Sequence, residues 1–431
     1  MKILNHSFTG IGVILIFIIC SITNDYSLFF FPVFFFLVFT FFLNKENLYY
    51  YRLSLLFNIV LGSLLCIENL FTGGELYKIG LDANVFYDSS LALSKLTLNN
   101  LFQVPRMGGY YFVVGFLYRF LEFVGINSVS YFHSLSFNFA IGAFIPVITN
   151  KIGTHLGIDK KLVRKAVMLI IFLPLINYYS AVGIRDVWIN LLFLLFVYQY
   201  FRFKSKNWSS LIFIILILVF TYLVRSHNAL FFVIFIYIDQ AIIILKSHHK
   251  KVFILVSLLV FPILVILFDD YFLKFYNSYY FISINENDKN SIGLFLKNDS
   301  GIVGKLTYIL QYIIGPFPPR IVKEITFDSI YISMGTLIGY IIMPVYFFLL
   351  LKNKVSSVIK SYSIYFIGIM CVIAIITAHF RHKIFLYPLI LVFLTYLFEN
   401  SDKRSVLRFL KYEVIVYLIL TLIYFYIKSN Y

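Results

Sequence analysis

Charge is what this sequence has least of. Only 13% of its 431 residues are Asp, Glu, Lys or Arg, against 61% hydrophobic, where a soluble domain averages about a quarter charged. So little charge excludes a water-soluble globular domain of this size. Cysteine is nearly missing as well. Cys20, Cys66 and Cys371 all lie within apolar runs, with no pairing pattern and no metal-type spacing, so they read as small core residues and exclude a Cys/His zinc site. The chain carries no phosphate-binding glycine loop, no dinucleotide-binding glycine pattern and no Gly-x-Ser-x-Gly elbow. The lack of a soluble nucleotide-sugar domain argues against a nucleotide-activated donor on the cytoplasmic side. Internal repeats and low-complexity tracts are also missing.

What is present is apolar and aromatic. The 51 Phe and 34 Tyr suit lipid-facing helices and their interfacial belts. Apolar runs of about 17–25 residues are candidate spans, and they fall near 8–23, 27–43, 53–71, 108–124, 131–149, 166–182, 187–201, 209–224, 229–245, 252–268, 329–351, 361–378, 384–398 and 413–428. An open strand cannot satisfy its backbone in lipid, so these runs read as helices. The expectation is all-α: a polytopic transmembrane helix bundle of about 11–14 spans, with 1–431 a single integral membrane domain. Two long exoplasmic loops, 72–107 and 269–328, are expected to carry interfacial or re-entrant helices. Lys2 and the apolar stretch behind it imitate a signal peptide, but no small-x-small cleavage site follows, so the stretch reads as a retained first span.

The net charge of +16 is distributed against nucleic-acid binding. Basic residues cluster between apolar runs, at Lys151 to Lys165, Arg202 to Lys206, Lys246 to Lys251, Lys352 to Lys360 and Lys403 to Lys411, as cytoplasmic loops do. The other side then receives Arg185-Asp186, Arg225-Ser226-His227, the 269–328 segment and His379-Phe380-Arg381-His382-Lys383. The count does not close, however. Three spans place 72–107 outside, and two more full crossings would leave Lys151 to Lys165 outside too. One element within 72–149 must therefore be re-entrant, broken or missed.

Five places carry candidate chemistry. Arg185-Asp186 is a formal ion pair at the tip of a membrane hairpin, and ionisable groups at membrane depth are functional suspects, although a solvated turn is the plainer reading. Arginine's planar fork matches phosphate oxygens. Arg225 and His227 close a long apolar run, where they could hold an anion and supply a group that titrates near neutral pH, or simply anchor the interface. Pro318-Pro319-Arg320 ends a ten-residue apolar-leaning stretch too short to cross. The densest outer cationic group, His379, Arg381, His382 and Lys383, precedes Tyr387-Pro388 and runs against the topological bias, so phosphate binding is the natural compensation. Asp82 and Asp88, near Tyr87, are the outer carboxylates available as a base. Their separation of six places them on different helical faces, which leaves a shared metal site unsupported.

Gly80-Leu81-Asp82 with Tyr87, Arg185-Asp186 opening a span, Gly315-Pro316-Phe317-Pro318 in the late loop and the Arg381-to-Pro388 stretch together make the chain resemble the bacterial GT-C-type membrane glycosyltransferases. In particular it is similar to the Wzy-like O-antigen or capsule repeat-unit polymerases. That resemblance implies a multi-pass protein of the bacterial cytoplasmic (inner) membrane whose active site faces the periplasm or exterior. It also implies an undecaprenyl-pyrophosphate-linked oligosaccharide as substrate, the lipid bilayer and a chain-length regulator as partners, and neither cofactor nor metal. Arg185, Arg225 and Arg381 would hold the pyrophosphate, and Asp82 or His382 would deprotonate the attacking hydroxyl. Asp186 would join the catalytic group, and Tyr87, Asp88, His227, Arg320, His379, Lys383 and Tyr387 the substrate-binding one. The alternatives are transfer of one sugar from a polyprenyl-phosphate donor and, further off, a flippase for lipid-linked oligosaccharide.

Overall fold

The computed structural model describes residues 2–71, 81–96, 109–126, 129–182, 184–245, 326–376 and 380–430, without the side chains of a few of them, Asp82 and Arg381 included. The described residues form helices and no strand. In chain order these are α1 (Lys2–Thr23), a 3-10 turn (Tyr26–Phe29), α2 (Phe30–Phe42), α3 (Lys45–Phe71), α4 (Leu81–Ser94), α5 (Gly109–Phe123), α6 (Tyr131–Gly142), α7 (Phe144–His155), α8 (Lys160–Phe172), α9 (Pro174–Ala181), α10 (Asp186–Lys204), α11 (Ser209–Val224), α12 (Ser226–Leu245), α13 (Phe327–Lys352), α14 (Ser357–Ile376), a second 3-10 segment (Phe380–Leu386), α15 (Tyr387–Glu399) and α16 (Lys403–Asn430). Among the described residues, five helices are long and apolar enough to cross a membrane, or six if the bent pair α8–α9 counts as one span. Shorter apolar helices such as α11 turn Ile212, Leu216, Val219 and Leu223 outward along one face, the pattern of a helix that meets lipid.

The sequence reads as one membrane domain; the described residues cluster into two compact units. The first takes those within Met1–Leu230, Ile321–Gly335 and Ile384–Glu399, and the second those within Phe231–Arg320, Thr336–Lys383 and Asn400–Tyr431.

In the first unit, α3 starts at Lys45, eight residues ahead of the apolar run expected from 53. The reason is local. Asn44 Oδ1 accepts the Asn47 N–H at 2.9 Å, and Glu46 accepts the Tyr50 hydroxyl one turn on at 3.0 Å, so polar contacts extend the helix past its apolar run. The expected span over 166–182 begins instead at Lys160 and bends by 49° where α8 meets α9. Pro174 explains the break, because it forces Leu173 into an extended backbone (φ −75°, ψ 113°). Asn177 Nδ2 donates to the Ile171 carbonyl at 2.6 Å across the bend, supplying a donor that the interrupted ladder cannot. Gly142 lets α6 approach α9 closely, since a Cβ there would run into the Ser180 hydroxyl.

The helix expected to cross over 108–124 falls short of a span in its described residues. α5 has 15 residues, about 22 Å of helix against a hydrocarbon core of about 30 Å, and it is not among the helices apolar and long enough to span. Its contacts all fall at one end of the unit. Tyr110 meets Trp188 in the first turn of α10, Tyr118 sits beside Ser134 in the first turn of α6, and Phe120 meets Phe30 at the start of α2. Those first turns are themselves linked, by Phe29 against Phe132 and by the Tyr131 hydroxyl on the Val182 carbonyl at 3.0 Å. The shorter α4 runs beside α5 in the same direction, Phe86 against Tyr110 and Ser94 against Arg119. An α5 that stays at this end would close the count that left Lys151 to Lys165 on the wrong side. α3 arrives at this end, and α6–α7 carries the chain to the opposite one, where Lys151 to Lys165 are found.

The second unit packs α13, α14 and α16 through aromatic and hydroxyl contacts. Tyr346 and Ser363 share a 2.6 Å hydrogen bond, Phe348 stacks on Phe409 at 4.3 Å, and the Tyr417 hydroxyl donates to the Tyr340 carbonyl at 3.2 Å. The residues expected as a second outer loop, 269–328, lie outside the described ones up to 325.

Candidate functional site

Three interruptions of helix meet in the first unit: the tip between α9 and α10, the break between α11 and α12, and the start of the paired helices α4 and α5. Asp186 is the first residue of α10, where the partial positive charge of a helix N-terminus favours a carboxylate. Arg225 occupies the break after α11 with an extended backbone (φ −162°, ψ 95°), its N–H bonded back to the Thr221 carbonyl at 2.7 Å. From there Arg225 Nη1 reaches Asp186 Oδ1 at 2.9 Å, with side chains only 3% and 8% exposed. The sequence pairs Asp186 with its neighbour Arg185; the structure bonds it to Arg225, 39 positions further on.

Arg185 carries the second guanidinium. Its Cζ lies 5.5 Å from the centroid of the Phe86 ring on α4, a cation–π contact that holds α4 against the tip. Phe86 also packs on Tyr110 and Tyr111, at 5.2 and 5.4 Å. His227, in the first turn of α12, has the guanidiniums of Arg225 and Arg185 as its charged neighbours. One carboxylate and two guanidiniums thus share a buried end of the unit with an imidazole beside them, a local excess of positive charge suited to an anion with several oxygens.

The tip is fixed from behind by α6. Asn138 Nδ2 donates to the Ile184 carbonyl at 3.2 Å, and Asn138 Oδ1 accepts the Trp188 indole N–H at 2.6 Å. The Tyr131 hydroxyl takes the Val182 carbonyl. Sequence reasoning passed over these residues because each stands alone in an apolar run. A buried amide in such a run is itself the usable signal, since burial requires it to bond something specific. Two more amides were missed. Asn190, one turn beyond Asp186 on α10, and Asn228, next to His227, are 1% and 3% exposed, and their Oδ1 atoms have no hydrogen-bond partner among the described residues.

A Ser–His pair also occurs at this end, and its geometry argues against a nucleophile. The Ser130 N–H donates to His133 Nδ1 at 3.1 Å, which leaves the ring proton on Nε2, facing Ser27 Oγ at 3.0 Å. Ser27 in turn donates to Asp25 Oδ1 at 2.5 Å. The imidazole therefore gives a hydrogen bond to the hydroxyl instead of taking its proton, and the group caps the turn before α2.

No known protein family, curated protein or solved structure matches the chain. The site is consequently judged on its own groups. Arg185, Asp186, Arg225 and His227 come together as the tips suggested. Tyr87 is adjacent on α4, its hydroxyl 3.5 Å from the Val129 carbonyl and its ring against Tyr118 and Tyr131. Asp88 is exposed. Asp82 belongs to the first turn of α4, its side chain outside the described ones, as is that of Arg381. Arg320 and His379 lie outside the described residues altogether. Tyr387 is buried in the first unit, opening α15. His382 and Lys383 belong to the second unit at 7% and 0% exposure, and both side chains are engaged in interactions. The part of the 379–383 cluster that is described is thus packed inside protein.

Proposed function

We propose that this chain is a membrane glycosyltransferase that polymerises undecaprenyl-pyrophosphate-linked oligosaccharide repeat units at the outer face of a bacterial cytoplasmic membrane. The observation that carries this reading is the buried Asp186–Arg225 bond with Arg185 and His227 beside it, at the end of the unit opposite the Lys151-to-Lys165 cluster. A phosphate-rich leaving group needs fixed positive charge in a site that excludes water, because stabilising developing negative charge is usually the largest catalytic term. Arg185 would meet the pyrophosphate oxygens directly, and Arg225, oriented by Asp186, would add a second guanidinium. In the transfer, an acceptor hydroxyl attacks the anomeric carbon, the bond from that carbon to the pyrophosphate oxygen breaks, and undecaprenyl pyrophosphate leaves. The hydroxyl proton passes to a base, for which Asp82 on α4 and His227 are the first unit's candidates. We read the four shorter apolar helices, together with α10 and α16, as further crossings, which brings the span number among the described residues to 11 or 12, within the expected 11–14, and a chain-length regulator as a membrane partner.

The test is genetic. Deleting the gene should collapse the surface-polysaccharide ladder on a gel to a single repeat unit, and Arg185→Ala should do the same at normal protein level. Full-length chains in the Arg185→Ala strain would remove this reading; loss of every repeat unit on deletion would instead point to an assembly transferase or a flippase.

A further inference from the structure

The tyrosines at this end of the first unit divide into two groups. Tyr110, Tyr118 and Tyr131 are 1%, 0% and 3% exposed and hold the helices together. Tyr87, Tyr111, Tyr178 and Tyr179 are half-buried. They come from three helices, α4, α5 and α9, and reach the tip that carries Arg185 through Phe86 and Tyr131. Tyr111 rests on Phe86, the ring that carries the Arg185 guanidinium. Tyr178 and Tyr179 pack edge-on at 5.2 Å in the last turn of α9 before that tip, and Tyr178 is an electrostatic neighbour of Tyr131. Tyrosines that merely belong to an interfacial belt stand out from the protein, as Tyr26 and Tyr222 do at 72% and 61% exposure. These four are set into it.

We propose that this tyrosine-lined surface is a saccharide-binding subsite, where the sugar next to the pyrophosphate lies while Arg185 holds the anion. The inference rests on the glycosyltransferase reading above and adds a recognition element to it. A sugar ring presents an apolar C–H face and a rim of hydroxyls. Tyrosine matches both, with a flat apolar body and a polar tip, and costs little conformational entropy to order. The buried amides point to the same ligand chemistry. Asn190 and Asn228 offer acceptor oxygens without a partner among the described residues, and pyrophosphate, which has only acceptors, gives them nothing. A sugar hydroxyl has the donor they lack.

The experiment uses the full chain in lipid nanodiscs with Trp208→Phe, which leaves Trp188 as the sole indole, 5.6 Å from Tyr110. Trp188 fluorescence is titrated with two probes: bare undecaprenyl pyrophosphate, and the same lipid carrying one N-acetylhexosamine. The glycosylated probe is expected to bind roughly 3–10-fold tighter, and Tyr111→Ala or Tyr179→Ala should erase that gain while bare-lipid affinity and thermal unfolding stay unchanged. Equal binding of both probes to the unsubstituted tyrosines, the result of a simple interfacial belt, overturns the subsite, as does an equal loss for both probes in the variants. Binding of neither probe overturns the glycosyltransferase reading along with it, so the bare lipid separates the two failures.

Discussion

Two ion pairs stand at opposite ends of the first unit and differ in nearly everything except their formal charge. Lys165 and Glu399 meet at 3.4 Å with side chains 61% and 43% exposed. Asp186 and Arg225 meet at 2.9 Å, 8% and 3% exposed. The first belongs to a basic end where water and headgroups solvate each charge separately. The second has given up that solvation, and only its geometry repays the loss. A buried ion pair is weak grounds for stability, because an apolar pair of similar volume usually does as well. Its retention at a helix break, beside a second arginine and a histidine, is better explained by a task that needs positive charge held in place.

The largest effect should come from splitting the buried pair. Asp186→Ala or Arg225→Ala leaves one charge uncompensated, which costs about 3–5 kcal/mol, and either change should abolish polymer. The double substitution Asp186→Ala/Arg225→Ala should be more stable than either single one, a non-additivity that only coupled groups produce. Thermal unfolding of the purified variants in detergent reads it directly. Additive losses would mean that the two side chains do not depend on each other.

Arg185→Lys probes function with less disturbance. It keeps the charge and loses the planar fork, so the fold should hold while polymerisation falls roughly 100-fold, the scale for removing one preorganised donor. The ladder in a complemented deletion strain reads the loss. Near-normal ladders would show that a point charge suffices and that Arg185 does not grip a pyrophosphate through paired hydrogen bonds.

What could be read beforehand divides along the same line as the two ion pairs. The all-α class and the basic end follow from runs and clusters that are local in sequence. The tip at Arg185-Asp186 and the Arg225 break were visible too, because each interrupts an apolar run. Their connection was not, since nothing in the residues near Asp186 identifies a partner 39 positions away; only the packing of α10 against α11 brings them together. α5 misled because its composition matches that of a span while its length of 15 residues does not. The burial of His382 and Lys383 was not legible for a different reason: a charge cluster says nothing of whether the fold wraps it.

A smaller effect is expected where α4 is held against the tip. Phe86→Leu keeps the volume and removes the quadrupole under Arg185, a loss of about 0.5–2 kcal/mol. The consequence should be looser attachment of α4, seen as faster hydrogen exchange over Leu81–Ser94 with little change elsewhere in the first unit. Unchanged exchange would show that α4 is held by its packing on α5 and not by the cation.

The smallest effect should be at the opposite end. Lys165→Ala breaks the exposed pair with Glu399, and exposed pairs are worth roughly 0.2–1 kcal/mol before salt screens them. Raising the salt concentration should therefore narrow the difference between Lys165→Ala and the parent, while the penalty of Asp186→Ala should persist, because ions cannot enter the space around a pair only 3% and 8% exposed. Salt-sensitive unfolding at both ends would mean that Asp186 and Arg225 are wet in the membrane. A wet pair would hold Arg225 no more firmly than Glu399 holds Lys165, and the contrast on which the pyrophosphate reading depends would be gone.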